Sequence, residues 1–330
     1  MKIVLVTRVY PTHRPGGMPF VVQDRARGLM SLGHEVTVLT TKKAGDGENI
    51  VAVNYCPDGP TEVWSREFST WCEQECKRIN PDIIHSDSTD LSRPWWTSFS
   101  CKTACTLHGF AWGAFFTQWN LFYLGKIDAM ASFDPVAFVR ERKVLNSYKT
   151  VIGISRHEWA MLRGLFHIYN AKLVYNPICS SFFKSPIVAP PSSRKFLCAA
   201  ISGTSNRMFN LAESAAKRAN VELTVLQHTP RTSMWSAYDE ISAVVLPTTY
   251  SQGYDLTVAE AHARGRPVIA SGIGSYLMEE NPGILTFPMG DEDCLAELLR
   301  SELPAVDVTT ANKHRPEIHA QKWLEAIDGC

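Results

Sequence analysis

The sequence predicts an α/β protein made of two Rossmann-like domains facing across a cleft. Three observations carry that expectation. Apolar, strand-length runs alternate with helical spacing through residues 2–154; a Pro- and Ser-rich stretch, residues 176–194 (NPICSSFFKSPIVAPPSSR), breaks the pattern; and the same alternation restarts at Lys195. Strands separated by helices are joined by crossovers and so run parallel, the doubly wound arrangement. The chain's 330 residues suit two domains of ordinary size. The expected divisions are 1–175 for the first domain, 176–194 for a linker, 195–310 for the second domain and 311–330 for a closing helix.

Taken in order, Lys2–Thr7 is an apolar run of strand length, and Phe20–Leu32 has helical spacing that ends at Gly33, a residue suited to the left-handed cap. Glu35–Thr40 reads as the next strand, Trp64–Ile79 as a helix, and Ile83–Ser86 as a short strand set off by Pro81-Asp82. Thr103–Leu107, Val139–Ser147 and Thr150–Ile154 continue as strand, helix and strand. In the second half Lys195–Ser202, Glu222–Gln227, Ser242–Leu246, Pro267–Ser271 and Ile284–Phe287 read as strands. Met208–Ala219, Trp235–Tyr238, the segment carrying Glu260, Glu292–Leu299 and finally Pro316–Ile327 read as helices.

Composition narrows the function. Hydrophobic residues make up 45% and charged residues 20%, the balance of a globular chain. The formal net charge is zero, which weighs against nucleic-acid binding, because such proteins carry a basic excess. Residues 1–175 hold 20 Lys/Arg against 16 Asp/Glu, a small tilt that suits an anionic acceptor or an anionic membrane surface as well as an ordinary solvated face. No apolar run reaches the roughly 18 residues that span a bilayer, and the first apolar run is too short for a signal peptide. A cytoplasmic location is therefore expected, at most peripheral to the inner face of the membrane. The pairs Cys72/Cys76 and Cys101/Cys105 have spacings within the zinc range, but they fall on helix and strand segments, so buried thiols are expected and no metal.

The most informative segment is Thr248–Ser271, TTYSQGYDLTVAEAHARGRPVIAS. It reads as a strand exit, a glycine-containing loop, a helix bearing Glu260 and a second strand. Such a loop lies at the carboxyl end of a strand, where free backbone N–H groups and the helix dipole attract anions. Glu260, one turn inside the helix, can accept from hydroxyls, so a diphosphate flanked by a ribose suits the site. The loop after the first strand, Thr7–Gly17, places Gly16-Gly17 before a helix, where a backbone can approach an anion closely. His108 follows the strand Thr103–Leu107, with Gly109 beside it.

Gln252, Gly253, Tyr254, Asp255, Leu256, Thr257, Glu260 and Ala261 resemble the donor-sugar motif of the retaining family-4 glycosyltransferases of the GT-B fold. Those enzymes read Glu-Gly-Phe-Gly-Leu, then a short polar step, then Glu-Ala, and the same seven-residue interval separates Gln252 from Glu260. Here Gln252 replaces the first glutamate and Asp255 the second glycine. The resemblance implies that the second domain holds a nucleotide-sugar donor, with Glu260 on the ribose hydroxyls and Gln252 near the sugar. Gly253, Tyr254, Asp255, Leu256 and Thr257 would line the phosphates. It implies the same donor role for Gly16 and Gly17, and a place for His108 near the anomeric carbon. Arg207 aligns with one of the two basic residues that hold the diphosphate; Thr204 stands where the other is usual. The aromatic tract that contains Trp112 and Trp119 is implied to be an acceptor wall, with core packing as the alternative. The resemblance also implies that the final helix packs back on the first domain.

The resemblance thus implies a retaining transferase. It would move a sugar from a nucleotide diphosphate, UDP favoured, to a hydroxyl of a glycan or lipid-linked saccharide, with no cofactor or metal required and the nucleotide sugar as co-substrate. A hydroxylated base in DNA is an alternative acceptor. A catalytically degenerate sugar-nucleotide-binding protein and a nucleotide-sugar epimerase are the alternatives to transfer itself.

Overall fold

A computed structural model of the chain describes every residue except 14–15, 44–52, 90–92, 110–134, 201–207, 228–230, 250–254, 280 and 330. It divides into two compact units. The first holds a seven-stranded sheet and takes back the chain from His314; the second holds Ser180–Lys313.

In the first unit the strands are β1 (Lys2–Thr7), β2 (Glu35–Thr40), β3 (Val53–Tyr55), β4 (Ile83–Asp87), β5 (Lys102–Thr106), β6 (Thr150–Gly153) and β7 (Ala171–Leu173). They are all parallel, in the order β3-β2-β1-β4-β5-β6-β7. Helices cover both faces of such a sheet, so its strands bury both sides, which is why Ile3–Val6 is a continuous apolar run. The order reverses between β1 and β4, and open α/β sheets bind ligands at the carboxyl ends beside that switch. Thr7 and Asp87, paired in register, stand there.

The helices of this unit are α1 (Gly17–Ser31), α2 (Arg66–Ile79), α3 (Pro135–Leu145), α4 (Arg156–Gly164) and, returning at the end of the chain, α10 (Pro316–Asp328). The Ser65 hydroxyl caps α2 by accepting from the Phe68 N–H at 3.1 Å, and Asn80 closes it in the left-handed conformation. Helix α4 and the three-residue strands β3 and β7 fall where the periodicity predicts nothing. The signal for α4 is the run Ser155-Arg156-His157-Glu158, in which the Ser155 hydroxyl accepts from the Glu158 N–H at 3.0 Å.

Helix α10 lies against α1 and contributes Ala320, Trp323 and Ile327 to the core beneath it. The approach is close because position 28 has no side chain: a Cβ there would stand 2.2 Å from the Pro316 carbonyl oxygen. Gly28→Ala is therefore expected to displace the start of α10. The overpacking costs about 1–3 kcal/mol, against a gain of about 1 kcal/mol in helix propensity. Chemical denaturation checks the net loss; a variant as stable as the parent would show that α10 shifts freely.

The second unit has β8 (Lys195–Ala200), β9 (Glu222–Gln227), β10 (Ala243–Leu246), β11 (Val268–Ser271) and β12 (Ile284–Phe287), again parallel, in the order β12-β11-β10-β8-β9. Its helices are α5 (Phe209–Ala219), α6 (Arg231–Asp239), α7 (Leu256–Ala263), the single turn α8 (Ser275–Met278) and α9 (Glu292–Arg300). The switch lies between β8 and β10, so α7, which follows β10, starts at the carboxyl edge where an anion would bind. Among the described residues no helix is long and apolar enough to cross a membrane.

Candidate functional site

In the second unit α7 places Glu260 on its second turn, 7% exposed, where the Tyr238 hydroxyl donates to Oε2 at 2.9 Å. A buried carboxylate needs such a partner, because removing it from water without hydrogen bonds is costly. Tyr238 is in turn fixed by its helix. Arg264 makes a two-pronged ion pair with Asp239, 2.8 Å on each arm, and Arg266 donates to the carbonyls of Tyr238 (2.8 Å) and Asp239 (3.0 Å). The same two guanidiniums donate to the carbonyls of Phe182, Ser185, Pro186 and Val188, part of the stretch expected as linker. Both arginines are fully buried, the setting in which a planar, five-donor cation suits carbonyls and carboxylates best.

Asp255 caps α7: its Oδ1 accepts from the Thr257 N–H at 2.9 Å, which places a carboxylate at the helix start. Tyr276 donates to its other oxygen at 3.4 Å. Leu256 and Thr257 are half-buried in the first turn. Gln252, Gly253, Tyr254, Arg207, Trp112 and Trp119 lie outside the described residues. Trp95 and Trp96, which stand just upstream of the aromatic tract, are core residues; Trp96 stacks on Tyr148 with ring centroids 4.3 Å apart.

In the first unit Gly16 and Gly17 open α1 at the carboxyl edge of β1. His13 ties down the preceding loop, accepting from the Tyr10 N–H at 3.0 Å and meeting the Lys42 carbonyl at 3.0 Å. His108 follows β5, and Gly109 beside it has φ +133°, a conformation that side chains rarely adopt. Beneath them lies a polar cluster that the sequence did not reveal. Asp87 Oδ1 is 2.9 Å from His108 Nε2 and 2.5 Å from Arg25 Nη1, and His85 Nδ1 is 3.4 Å from Oδ2. Arg25 Nε donates to His319 of α10 at 3.2 Å. Burial alone would raise the Asp87 pKa; the Arg25 charge and the histidine contacts outweigh it and hold the carboxyl well below the usual range. Burial pushes His85 down to about 4 and His319 well below the ordinary value, so both are neutral.

On the far side of the His108–Gly109 turn stands Glu158, whose Oε2 accepts from the Ile154 N–H at 2.7 Å. Among the described residues no group of three His, Cys, Asp or Glu side chains is arranged to hold a metal ion, and Cys72, Cys76, Cys101 and Cys105 are free thiols. A depression of about 530 Å³ lined by Met1, Pro81, Phe99 and Lys102 opens at the amino ends of the strands. It is on the opposite edge from Asp87 and His108 and is assigned no role.

Comparison with known proteins identifies the family. Residues 15–181 match the model of Glycosyltransferase Family 4, and residues 189–303 that of Glycosyl transferases group 1. The chain belongs to glycosyltransferase family 4. Solved structures agree on the fold of this glycosyltransferase, which is GT-B. Sucrose-phosphate synthase from Thermosynechococcus elongatus is 16% identical, with a TM-score of 0.65 over 100% of this chain and 94% of that one. The lipopolysaccharide outer core galactosyltransferase WaaB is 14% identical, with a TM-score of 0.67 over 100% and 99%. Anabaena HepE, in complex with UDP and glucose, is 13% identical, with a TM-score of 0.67 over 100% of each chain. No curated protein sequence matches the glycosyltransferase significantly.

Proposed function

We propose that this glycosyltransferase moves a sugar from a nucleotide-diphosphate donor, UDP-linked by preference, to a hydroxyl of a glycan or lipid-linked saccharide, with retention of anomeric configuration and without a required metal. The observation that carries the reading is the Glu260 carboxylate, buried on the second turn of α7 and oriented by Tyr238 at the switch-point edge of its sheet. A carboxylate so placed accepts from two vicinal hydroxyls, and a ribose has them.

The remaining roles follow the sequence motif. Leu256 and Thr257 bring backbone and hydroxyl to the phosphates, with Gly253, Tyr254 and Arg207 on the same ligand. Gln252 hydrogen-bonds the sugar without acting as a base, because an amide neither gains nor loses a proton at ordinary pH. The donor phosphate then takes the acceptor proton as the acceptor attacks from the face the nucleotide leaves. Asp255 places negative charge beside the phosphates and weakens donor affinity relative to a glycine at that position. Gly16, Gly17 and His108 serve the donor sugar from the first unit, and Trp112 and Trp119 the acceptor. UDP and glucose are bound by HepE, and ADP and acarbose by starch synthase IV of Arabidopsis thaliana, which supports a nucleotide sugar as co-substrate. The proposal does not extend to a DNA acceptor or to membrane contact.

Thermal unfolding with UDP-, GDP- and ADP-sugars tests it. A ligand at 100 times its Kd stabilises by about 2.7 kcal/mol, which raises the midpoint by several degrees. One nucleotide class should give the shift. Glu260→Ala should remove most of it, since hydrogen bonds to a charged group contribute about 1.5–3 kcal/mol each. A wild-type chain indifferent to every donor, or an equal shift in the variant, would sink the reading.

A further inference from the structure

Three of the side chains around His108 are fully buried: Arg25, His85 and Asp87. His108 itself is the member that reaches the surface, with its side chain 9% exposed. A buried acid–histidine pair whose ring alone meets solvent is an arrangement found where a protein directs one nitrogen of an imidazole outward. Hydrogen bonding settles which nitrogen. Asp87 is ionised and can only accept, and it already accepts from Arg25 Nη1 on Oδ1. The His108 nitrogen 2.9 Å from that same oxygen, Nε2, must therefore carry the proton.

The cluster is braced from behind. The Tyr175 carbonyl can only accept, so His319 Nδ1, 2.7 Å away, donates to it. The neutral His319 ring then offers its Nε2 lone pair to Arg25 Nε–H at 3.2 Å. Arg25 is thus held on one side by α10 and on the other by Asp87. A continuous chain of hydrogen bonds links the Tyr175 carbonyl through His319, Arg25 and Asp87 to His108, with Arg25 donating on both sides and Asp87 accepting on both. Thr106, at the end of β5, holds His85 from the other direction through Nε2 at 2.8 Å.

We propose that Asp87 is a positioning residue for His108: its carboxylate fixes the imidazole with the proton on Nε2 and leaves Nδ1, on the other side of the ring, as the nitrogen presented to the donor sugar or acceptor. The proposal deepens the transferase reading above and rests on it for what His108 faces. Asp87 does not touch substrate. A carboxylate behind a histidine sets its tautomer and ring orientation, and behind metal-bound histidines losing such a partner typically costs about 10- to 100-fold in affinity or activity, the magnitude expected here.

Two measurements test the proposal. Long-range nitrogen–proton NMR of the uniformly ¹⁵N-labelled wild-type chain, with His108→Gln used to assign the ring, should show His108 as a single Nε2–H tautomer. An Nδ1–H tautomer or an exchanging mixture would overturn the role of Asp87. This arm needs neither donor nor acceptor, so it decides the proposal even if the wild type transfers no sugar, an outcome that would count against the transferase reading alone. The second arm is Asp87→Asn, paired with Arg25→Met/Asp87→Asn in case the single variant leaves the arginine unpaired and fails to fold. Turnover of the nucleotide sugar identified by thermal shift should fall about 10- to 100-fold in kcat with donor Kd within about twofold, and the fixed Nε2–H tautomer should be lost. An unchanged kcat in a folded variant, or a loss wholly in donor Kd, would overturn the proposal.

Discussion

Glu158→Gln is expected to make the protein more stable at pH 9 by about 4 kcal/mol and to flatten its stability between about pH 5 and 8. The Glu158 side chain is completely buried, and its pKa is pushed up to about 8, chiefly by burial and then by the charge of Glu141; the N–H groups of Ile154 and Gly109 oppose the shift. The folded value lies above the unfolded one, so between the two the native state binds more protons than the unfolded state. Stability then falls as pH rises through that window and is lowest above the folded pKa. Glutamine retains an oxygen for the Ile154 N–H, 2.7 Å away in the parent, and has no charge to bury. Urea midpoints across pH 5–9 check it; parallel curves for parent and variant would mean that water reaches the carboxyl. The effect bears on the site because Glu158 supports the turn that carries His108.

Arg25→Met should cost about 3–5 kcal/mol at pH 7, the usual penalty for removing one partner of a buried ion pair. Arg25 and Asp87 are both fully buried, and the guanidinium 2.5 Å away is the largest of the influences, ahead of the His85 and His108 contacts, that hold the Asp87 carboxyl ionised against its burial. Without the arginine, Asp87 must either remain an uncompensated buried charge or take up a proton. The penalty should therefore shrink as pH falls, since protonation relieves the unpaired carboxylate. The double variant Arg25→Met/Asp87→Asn should recover most of the loss, because it leaves no charge behind. Denaturant unfolding of the three chains at pH 7 and pH 4.5 decides the matter. A loss below about 1 kcal/mol for the single variant would mean that His85 and His108 satisfy Asp87 without help.

Much of the architecture was legible because its signals are local. A strand buried on both faces must be an apolar run, as β1 is, and alternation with helical spacing marks the others; β1, β2, β9 and β12 have the bounds expected of them. Helix α7 follows from the layout of the segment around Glu260, and α10 from the apolar spacing after Pro316. The strands β3 and β7 were not legible, since three residues carry no periodicity and each depends on one parallel neighbour, β2 or β6. Helix α4 was missed although the Ser155–Glu158 capping pattern announces it.

By itself, then, the sequence determined the α/β class, the parallel strands with their crossovers and the position of Glu260 at a strand's carboxyl edge. These follow from the order of apolar and polar residues along a few turns or a few strand lengths. Only the tertiary structure decided which charges meet. Arg25 reaches Asp87 across 62 positions and His319 across 294, and Tyr238 reaches Glu260 across 22. Arg264 and Arg266, on either side of Gly265 in the turn before β11, are buried against backbone carbonyls. A charge is buried only where partners from distant elements converge to replace its water, and no local pattern of hydrophobicity encodes that convergence.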